Sequence, residues 1–112
     1  MAFAFKMLKA GTVASGANAS FYSPPAGSTA IVTSIRFFNL AGSSPTVDTI
    51  SVGISAGGTK IPVYKSSTVV NQGTSSVPAL PKLTLPSQGV IDITVGGTGS
   101  LQCLISGIER TG

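Results

Sequence analysis

Residues 29–39 read Thr-Ala-Ile-Val-Thr-Ser-Ile-Arg-Phe-Phe-Asn, and this stretch decides the fold class. Apolar side chains recur in it at every second position, which is the period of a β-strand and not of a helix. With strict alternation, one face of the strand carries Ile31, Thr33, Ile35 and Phe37. The other face then carries Val32, Ser34, Arg36 and Phe38. The stretch therefore predicts a strand with one strongly apolar side.

The same two-residue period recurs along the chain. It returns over residues 46–54, 90–95 and 101–105, and shorter strand candidates lie at 3–9, 20–22, 60–64 and 79–85. Gly and Pro clusters separate these runs, and no ten-residue window carries the apolar stripe and cap of a helix. The sequence therefore predicts an all-β fold: a single-domain antiparallel β-sandwich or jelly-roll-like barrel of about 7–9 strands.

Glycine and proline also predict how the strands are connected. Residues 56–58 (Ala-Gly-Gly) and 96–99 (Gly-Gly-Thr-Gly) are typical of hairpin turns, because glycine adopts the positive φ angles that tight turns need. The second cluster lacks the lysine and the following helix of a phosphate-binding loop. Pro78 and Pro81 place the 79–85 strand at a sheet edge or give it a bulge.

The first 19 residues allow two interpretations. Phe3, Phe5 and Met7 occupy alternate positions, which predicts a strand, and a Gly/Ala/Ser-rich stretch follows over residues 11–20. The segment is either the first strand of the sandwich or an extended arm on a flexible leash that adds to a neighbouring sheet edge. Residues 20–112 are expected to form the β-sandwich domain. The residues after the first lysines are too polar for a signal peptide, so none is predicted.

The composition argues against catalysis and metal binding. The chain has no His, one Cys and three acidic residues, so one copy cannot build a Ser-His-Asp site, a Cys-His site or a cysteine-rich zinc site. Three scattered acids are also poor material for calcium or for a glycosidase pair. We therefore expect no enzymatic activity, no catalytic or metal-binding residue and no cofactor. Cys103 lies in an apolar run and is expected to be buried as a small hydrophobic residue.

Charge and hydropathy limit the partners. The seven Lys and Arg residues give a net charge of +4 but are spread along the chain, unlike the clustered bases of a nucleic-acid-binding protein. No apolar run approaches the ~20 residues of a membrane-spanning helix. We therefore expect neither a nucleic acid nor a membrane as a partner.

Four residues are candidates for a subunit interface: Phe3, Phe5, Val32 and Phe38. Under strict alternation, Val32 and Phe38 share the second face of the 29–39 strand. If that face stays uncovered, it is an exposed apolar patch and therefore an interface. In the alternative, the strand bends and both of its faces are partly buried in a two-layer sandwich.

Three segments resemble small β-sandwich structural proteins of tailed bacteriophages. They are residues 21–39, with Pro-Ala-Gly before Ala-Ile-Val, residues 85–91 (Leu-Pro-Ser-Gln-Gly-Val-Ile) and residues 105–109 (Ile-Ser-Gly-Ile-Glu). Together they cover about a third of the chain, in the order that the family has them. The resemblance implies a virion structural protein without an active site.

Within that group, the resemblance implies a capsid decoration (cement) protein. Such a protein is assembled in the host cytoplasm, binds the major capsid protein across subunit boundaries and stays on the capsid surface of the virion. It binds as a homo-oligomer, most often a trimer. A tail, collar or fibre component is an alternative, because these structures use similar β-domains. A glycan-binding β-sandwich module is a second alternative, although the chain lacks the Trp platform that is usual in such modules.

Overall fold

The computed structural model describes residues 2–40, 43–55, 57–78, 80 and 82–111, with side chains from residue 7 to residue 110 of these ranges. Its regular structure consists of strands, and the all-β prediction is confirmed. The strands are β1 (Ala2–Tyr22), β2 (Ser28–Phe38), β3 (Thr46–Gly53), β4 (Lys60–Val69), β5 (Ser75–Ser76), β6 (Leu83–Leu85) and β7 (Val90–Thr111). They form one antiparallel sheet in the order β4-β3-β7-β2-β5, with β1 also paired to β7 and β6 also paired to β2.

The two longest strands, β1 and β7, run through both halves of this curled sheet. Residues 90–96 of β7 pair with β3, and residues 102–111 pair with β2. β1 pairs with β7 along both of these parts. The sheet therefore has a β3 half, which contains β4, β3 and the adjoining parts of β7 and β1. It also has a β2 half, which contains β5, β6, β2 and the remaining parts of β7 and β1.

The two halves share one apolar core. Its buried side chains include Val47, Ile50 and Ile93 from the β3 half and Ile35, Phe37, Leu101 and Ile105 from the β2 half. Since side chains alternate along a strand, those that point away from the core form two outer faces. This arrangement is the single-domain β-sandwich or barrel-like fold that the sequence predicts.

β1 and β7 bend together where they pass from one half to the other. Gly16, Gly97 and Gly99 have φ angles of 106°, 74° and 101°, which residues with a side chain rarely adopt. The Ser15 hydroxyl donates a 2.7 Å hydrogen bond to the Gly97 carbonyl and so joins the two bends. The hairpin turn predicted at residues 96–99 is therefore wrong, because β7 bends there and continues as one strand.

The N-terminal segment is a strand of the sandwich. β1 pairs with β7 from residue 2 to residue 22, so residues 11–20 lie in a strand and not in a flexible leash. β1 also crosses the boundary expected at residue 19. Phe3 and Phe5 lie in β1 opposite Arg110 and Ile108 of β7, and their side chains are outside the described part of the chain.

β2 departs from strict alternation at a β-bulge. Its register against β7 shifts at Thr33, so the residues that face the core are even-numbered before the bulge and odd-numbered after it. Val32 is only 2% exposed and lies in the core with Ile35 and Phe37. The prediction that Val32 shares an outer face with Phe38 is therefore wrong.

Gly107 of β7 lies opposite Val32 at this bulge. A Cβ atom at Gly107 would overlap the backbone carbonyl of Ile31. The two strands approach each other closely here because the position carries no side chain. The bulge in β2 and the glycine in β7 are thus parts of one local structure.

Buried Asn39 holds two loops together. Its side-chain nitrogen donates hydrogen bonds of 2.7 Å to the carbonyls of Ser43 and Val70. Its backbone N–H donates to the Thr74 carbonyl, and its own carbonyl accepts from the Gly73 N–H. These bonds satisfy backbone groups at the end of β2, where no strand partner is available.

The remaining strands differ from prediction mainly in length. β4 extends to Val69, beyond the predicted 60–64, because it pairs with β3 over most of that length. Residues 54–59 connect β3 to β4 at the predicted hairpin, of which residue 56 is outside the described part. β6 comprises only the end of the predicted 79–85 strand and pairs with β2 at a sheet edge. Residues 79 and 81 are outside the described part.

Candidate interaction surface

The outer side of the β2 half carries side chains from three neighbouring strands. Arg36 and Phe38 point away from the core, because Phe37 between them is buried. Residues directly opposite each other in a sheet point to the same side, and these two lie opposite Leu104 and Gln102 of β7. We call this side the outer β2 face. It carries Ile31, Ser34, Arg36 and Phe38 of β2, Gln102, Leu104, Ser106 and Ile108 of β7, and Met7, Ala10 and Thr12 of β1.

A groove of about 740 Å³ lies on the outer β2 face. Phe38 and Leu104 are half-buried along it, whereas Met7 is 59% exposed. Thr12 and Gln102 add a hydroxyl and an amide to the lining. The volume is within the range of ligand sites, and an apolar floor with a few polar groups is typical of binding surfaces.

Arg36 is the charged side chain of this groove. It is exposed and forms no ion pair with any acid in the described part of the chain. Asp48 accepts a 2.6 Å hydrogen bond from the Thr46 hydroxyl, and Asp92 lies 3.7 Å from the Lys60 ammonium, both in the β3 half. The groove is therefore apolar and positively charged.

The outer side of the β3 half has the opposite character. Its strands direct polar side chains outward between the core residues, and we call this side the outer β3 face. It carries Thr49 and Ser51 of β3, Asp92 and Thr94 of β7, and Lys65 of β4. Asp92 also accepts a 2.8 Å hydrogen bond from the backbone N–H of Ser20. The outer β3 face is therefore suited to contact with water.

A second apolar recess opens between the edge strands β4 and β6. It has a volume of about 340 Å³ and is lined by Val52, Ile54, Ile61, Val63 and Leu83, with Lys82 also in its wall. Ile54 is 75% exposed and Ile61 is 65% exposed. The period of two was expected to continue to residue 54, but β3 ends at Gly53, and Ile54 lies outside the strand. The position of β4 at an edge of the sheet leaves Ile61 exposed.

Of the four predicted interface residues, Phe38 lies on the outer β2 face. Val32 lies in the core, and the side chains of Phe3 and Phe5 are outside the described part. Sequence reasoning did not single out Met7, Arg36 or Leu104, which lie on the same face as Phe38. Arg36 and Phe38 are two positions apart in one strand, so the sequence alone could place their side chains on the same face. The contributions of β1 and β7 depend on strand register, which the sequence does not specify.

Burial raises the pKa values of two titratable groups in the described part of the core. Burial raises the pKa of the Cys103 thiol from 9.0 to about 12, so the confirmed burial of Cys103 keeps it protonated near neutral pH. Burial also raises the pKa of Tyr22 above 10.0, and the Glu109 carboxylate raises it further. Tyr22 lies in the core, whereas Cys103 is buried beneath the groove and contributes to its lining.

The described residues contain no group of three or more His, Cys, Asp or Glu side chains that could hold a metal ion. Among the same residues there is no helix long and apolar enough to cross a membrane. No protein-family model matches the sequence, and no curated protein matches it at a significant level.

Proposed function

We propose that the chain is a non-enzymatic capsid decoration protein that binds the mature head of a tailed bacteriophage across shell-subunit boundaries. The observation that carries the proposal is the difference between its two outer faces. The outer β2 face carries an apolar groove in which Arg36 is the charged side chain among the described residues, whereas the outer β3 face carries mainly hydroxyl and charged groups. A protein that lies on a shell needs one face to contact the shell and another to face water.

The proposed mechanism is mass action. The protein binds the assembled shell and not the dissociated subunits, so each occupied site stabilises the assembled state. At a free concentration 100 times the Kd, this amounts to about 2.7 kcal/mol per site. Many copies on one particle then oppose its opening by heat or osmotic shock.

The proposed partner is the major capsid protein, and the proposed location is the capsid surface of the virion after assembly in the host cytoplasm. The chain acts there as a homo-oligomer, for which the resemblance favours a trimer. A sandwich with few charges and short connections suits a rigid shell component.

Quantitative mass spectrometry of purified virus particles from the source culture tests the proposal. We expect a copy ratio to the major shell protein between one to one and one to a few. A few copies per hundred shell proteins would instead favour a tail, collar or fibre component. Absence from the particles would remove the virion role altogether.

A glycan-binding module is the second candidate, because the groove places Phe38 near the amide of Gln102 and the hydroxyl of Thr12. Stacking on an aromatic ring beside hydrogen-bonding groups is how proteins hold sugars. A glycan array tests this candidate: specific retention favours it, and silence across a broad array removes it.

A further inference from the structure

We propose that the outer β2 face binds a protein segment that carries one carboxylate flanked by apolar side chains, with the carboxylate paired to Arg36. This inference rests on the proposed function, in which the outer β2 face contacts the shell. It adds the chemical groups that the surface of the partner must supply to that face.

The first reason to expect a carboxylate on the partner is that Arg36 has no acidic partner among the described residues. Covering the groove would remove water from the guanidinium, and an unpaired buried charge is strongly destabilising. Within the described residues, Asp48 and Asp92 lie in the β3 half, and Glu109 lies opposite core-facing Ala30. The partner must therefore bring the carboxylate, to which a guanidinium can donate two parallel hydrogen bonds.

The apolar part of the groove is the reason to expect apolar side chains beside that carboxylate. Leu104 lies opposite Arg36 on the neighbouring strand, and Phe38 lies two positions along the same strand. An extended segment places side chains on one side at every second residue, ~7 Å apart. A segment that runs along β2 with an acidic residue over Arg36 and an apolar residue two positions away over Phe38 matches this spacing, and Leu104 lies beside that segment on β7. An apolar residue on each side of the acid allows the segment to run in either direction.

A second copy of the chain fits this face poorly. A face-to-face pair would bury two Arg36 side chains in one interface, and the described part of the face has no carboxylate for either. Pairing through the edge of β1 is also hindered. The Asn18 side chain donates to the Ala14 carbonyl at 2.8 Å and accepts from the Ala14 N–H at 3.2 Å, which takes up the backbone groups of Ala14 at that edge. A different protein is thus the better occupant of the face.

The probe for this inference is a set of three peptides titrated into the ¹⁵N-labelled full chain and followed by amide chemical shifts. The peptides are acetyl-Leu-Ser-Glu-Ser-Leu-amide and its counterparts with Gln or Lys in the central position. We expect the Glu peptide to shift the amides of Arg36, Phe38 and Leu104. We expect it to bind about tenfold more tightly than the Gln peptide, because the hydrogen bonds to Arg36 are charge-assisted.

Two variants test whether Arg36 causes the preference for the Glu peptide. Arg36→Gln is an exposed substitution that leaves the fold intact and removes the preference for the Glu peptide. Lys65→Gln removes the same charge from the outer β3 face and keeps the preference. Added salt weakens binding of the Glu peptide to the wild-type chain and leaves binding of the Gln peptide nearly unchanged.

The inference is overturned if the three peptides bind equally, if the shifts map to another surface, or if Arg36→Gln keeps the preference. Absence of shifts with every peptide up to ~10 mM also overturns it, because that is weaker than the millimolar binding a matched segment should reach. None of these results changes the copy ratio in virus particles. Failure of the inference is therefore distinguishable from failure of the proposed function.

Discussion

Cys103 couples the stability of the fold to alkaline pH. Its pKa is raised from 9.0 to about 12 by burial, so the folded chain keeps a proton that the unfolded chain releases. The stabilising contribution is complete below pH 9 and is lost as the pH rises towards 12. We expect the free energy of unfolding to fall by about 1.4 kcal/mol per pH unit in this window.

Urea unfolding measured between pH 8 and pH 11 checks this dependence. Cys103→Ala should flatten the slope, and the part that remains should come from Tyr22, whose pKa is also raised. A thiol reagent at pH 8 should leave the folded chain unmodified and react only after unfolding. An unchanged slope in Cys103→Ala, or rapid labelling of the folded chain, would contradict the burial argument.

Asn39 contributes to the stability of the fold in a different way, because its hydrogen bonds hold two loops together. Asn39→Ala leaves the carbonyls of Ser43 and Val70 without their donor, and the free energy of unfolding should fall by about 2–4 kcal/mol. Asn71→Ala is the control, because the side chain of Asn71 is exposed and the Thr74 N–H and hydroxyl bond only to its carbonyl. The control should change stability by less than about 0.5 kcal/mol, and equal losses in both variants would contradict the role given to Asn39.

At the scale of elements, the bulge of β2 depends on Gly107 of β7. Gly107→Ala places a methyl group against the carbonyl of Ile31, so the strands must separate or the bulge must shift. We expect a loss of about 2–4 kcal/mol, measured by thermal or urea unfolding. Gly57→Ala is the matched control, because an added methyl group meets no atom within 4 Å there. A near-neutral Gly107→Ala would mean that the bulge is not a fixed feature.

The same bulge explains why the sequence predicts the strand β2 correctly but places Val32 on the wrong face of it. The alternation of residues 29–39 identified the strand, and Phe37 and Ile35 are buried as predicted. Val32 was placed on the wrong side because a bulge reverses the parity of all residues before it. The bulge forms against a residue 75 positions away in the chain, Gly107 opposite Val32, so no local pattern could reveal it.

The bend of β7 shows a similar limit. A glycine cluster between two apolar strands is typical of a hairpin, and it equally permits a bend within one strand. What decides between them is the pairing of β1 with both parts of β7, together with the bond from Ser15 to Gly97. Those contacts join the two ends of the chain, and sequence periodicity carries no information about them.

At the scale of the whole molecule, only part of the outer β2 face could be predicted from the sequence. Phe38 could be identified, because two consecutive aromatic residues in a strand must point to opposite sides. Met7 and Leu104 join Phe38 only through the register of three strands. The contrast between the two outer faces likewise becomes visible only when each strand is assigned to a half of the sandwich.

That contrast leads to a prediction about particle binding. Met7→Glu introduces a charge at a 59% exposed position on the outer β2 face, so it should leave the thermal unfolding of the free chain nearly unchanged. If this face contacts the shell, the variant should bind particles that lack the protein at least tenfold more weakly than the wild type. The new carboxylate replaces an apolar contact and competes with the carboxylate of the partner for Arg36, and we expect this to cost at least the ~1.4 kcal/mol that a tenfold loss represents.

Val69→Glu is the matched control for this prediction, because Val69 is 51% exposed and lies at the end of β4 in the β3 half. Both variants make the same change of charge, so general electrostatic repulsion from the shell would weaken them equally. We expect Val69→Glu to bind like the wild type and to restore the heat resistance of the particles, and Met7→Glu to do neither. Equal loss in both variants would point to net charge, and equal binding would place the contact on another surface, of which the recess beside Ile54 and Ile61 is the next to test.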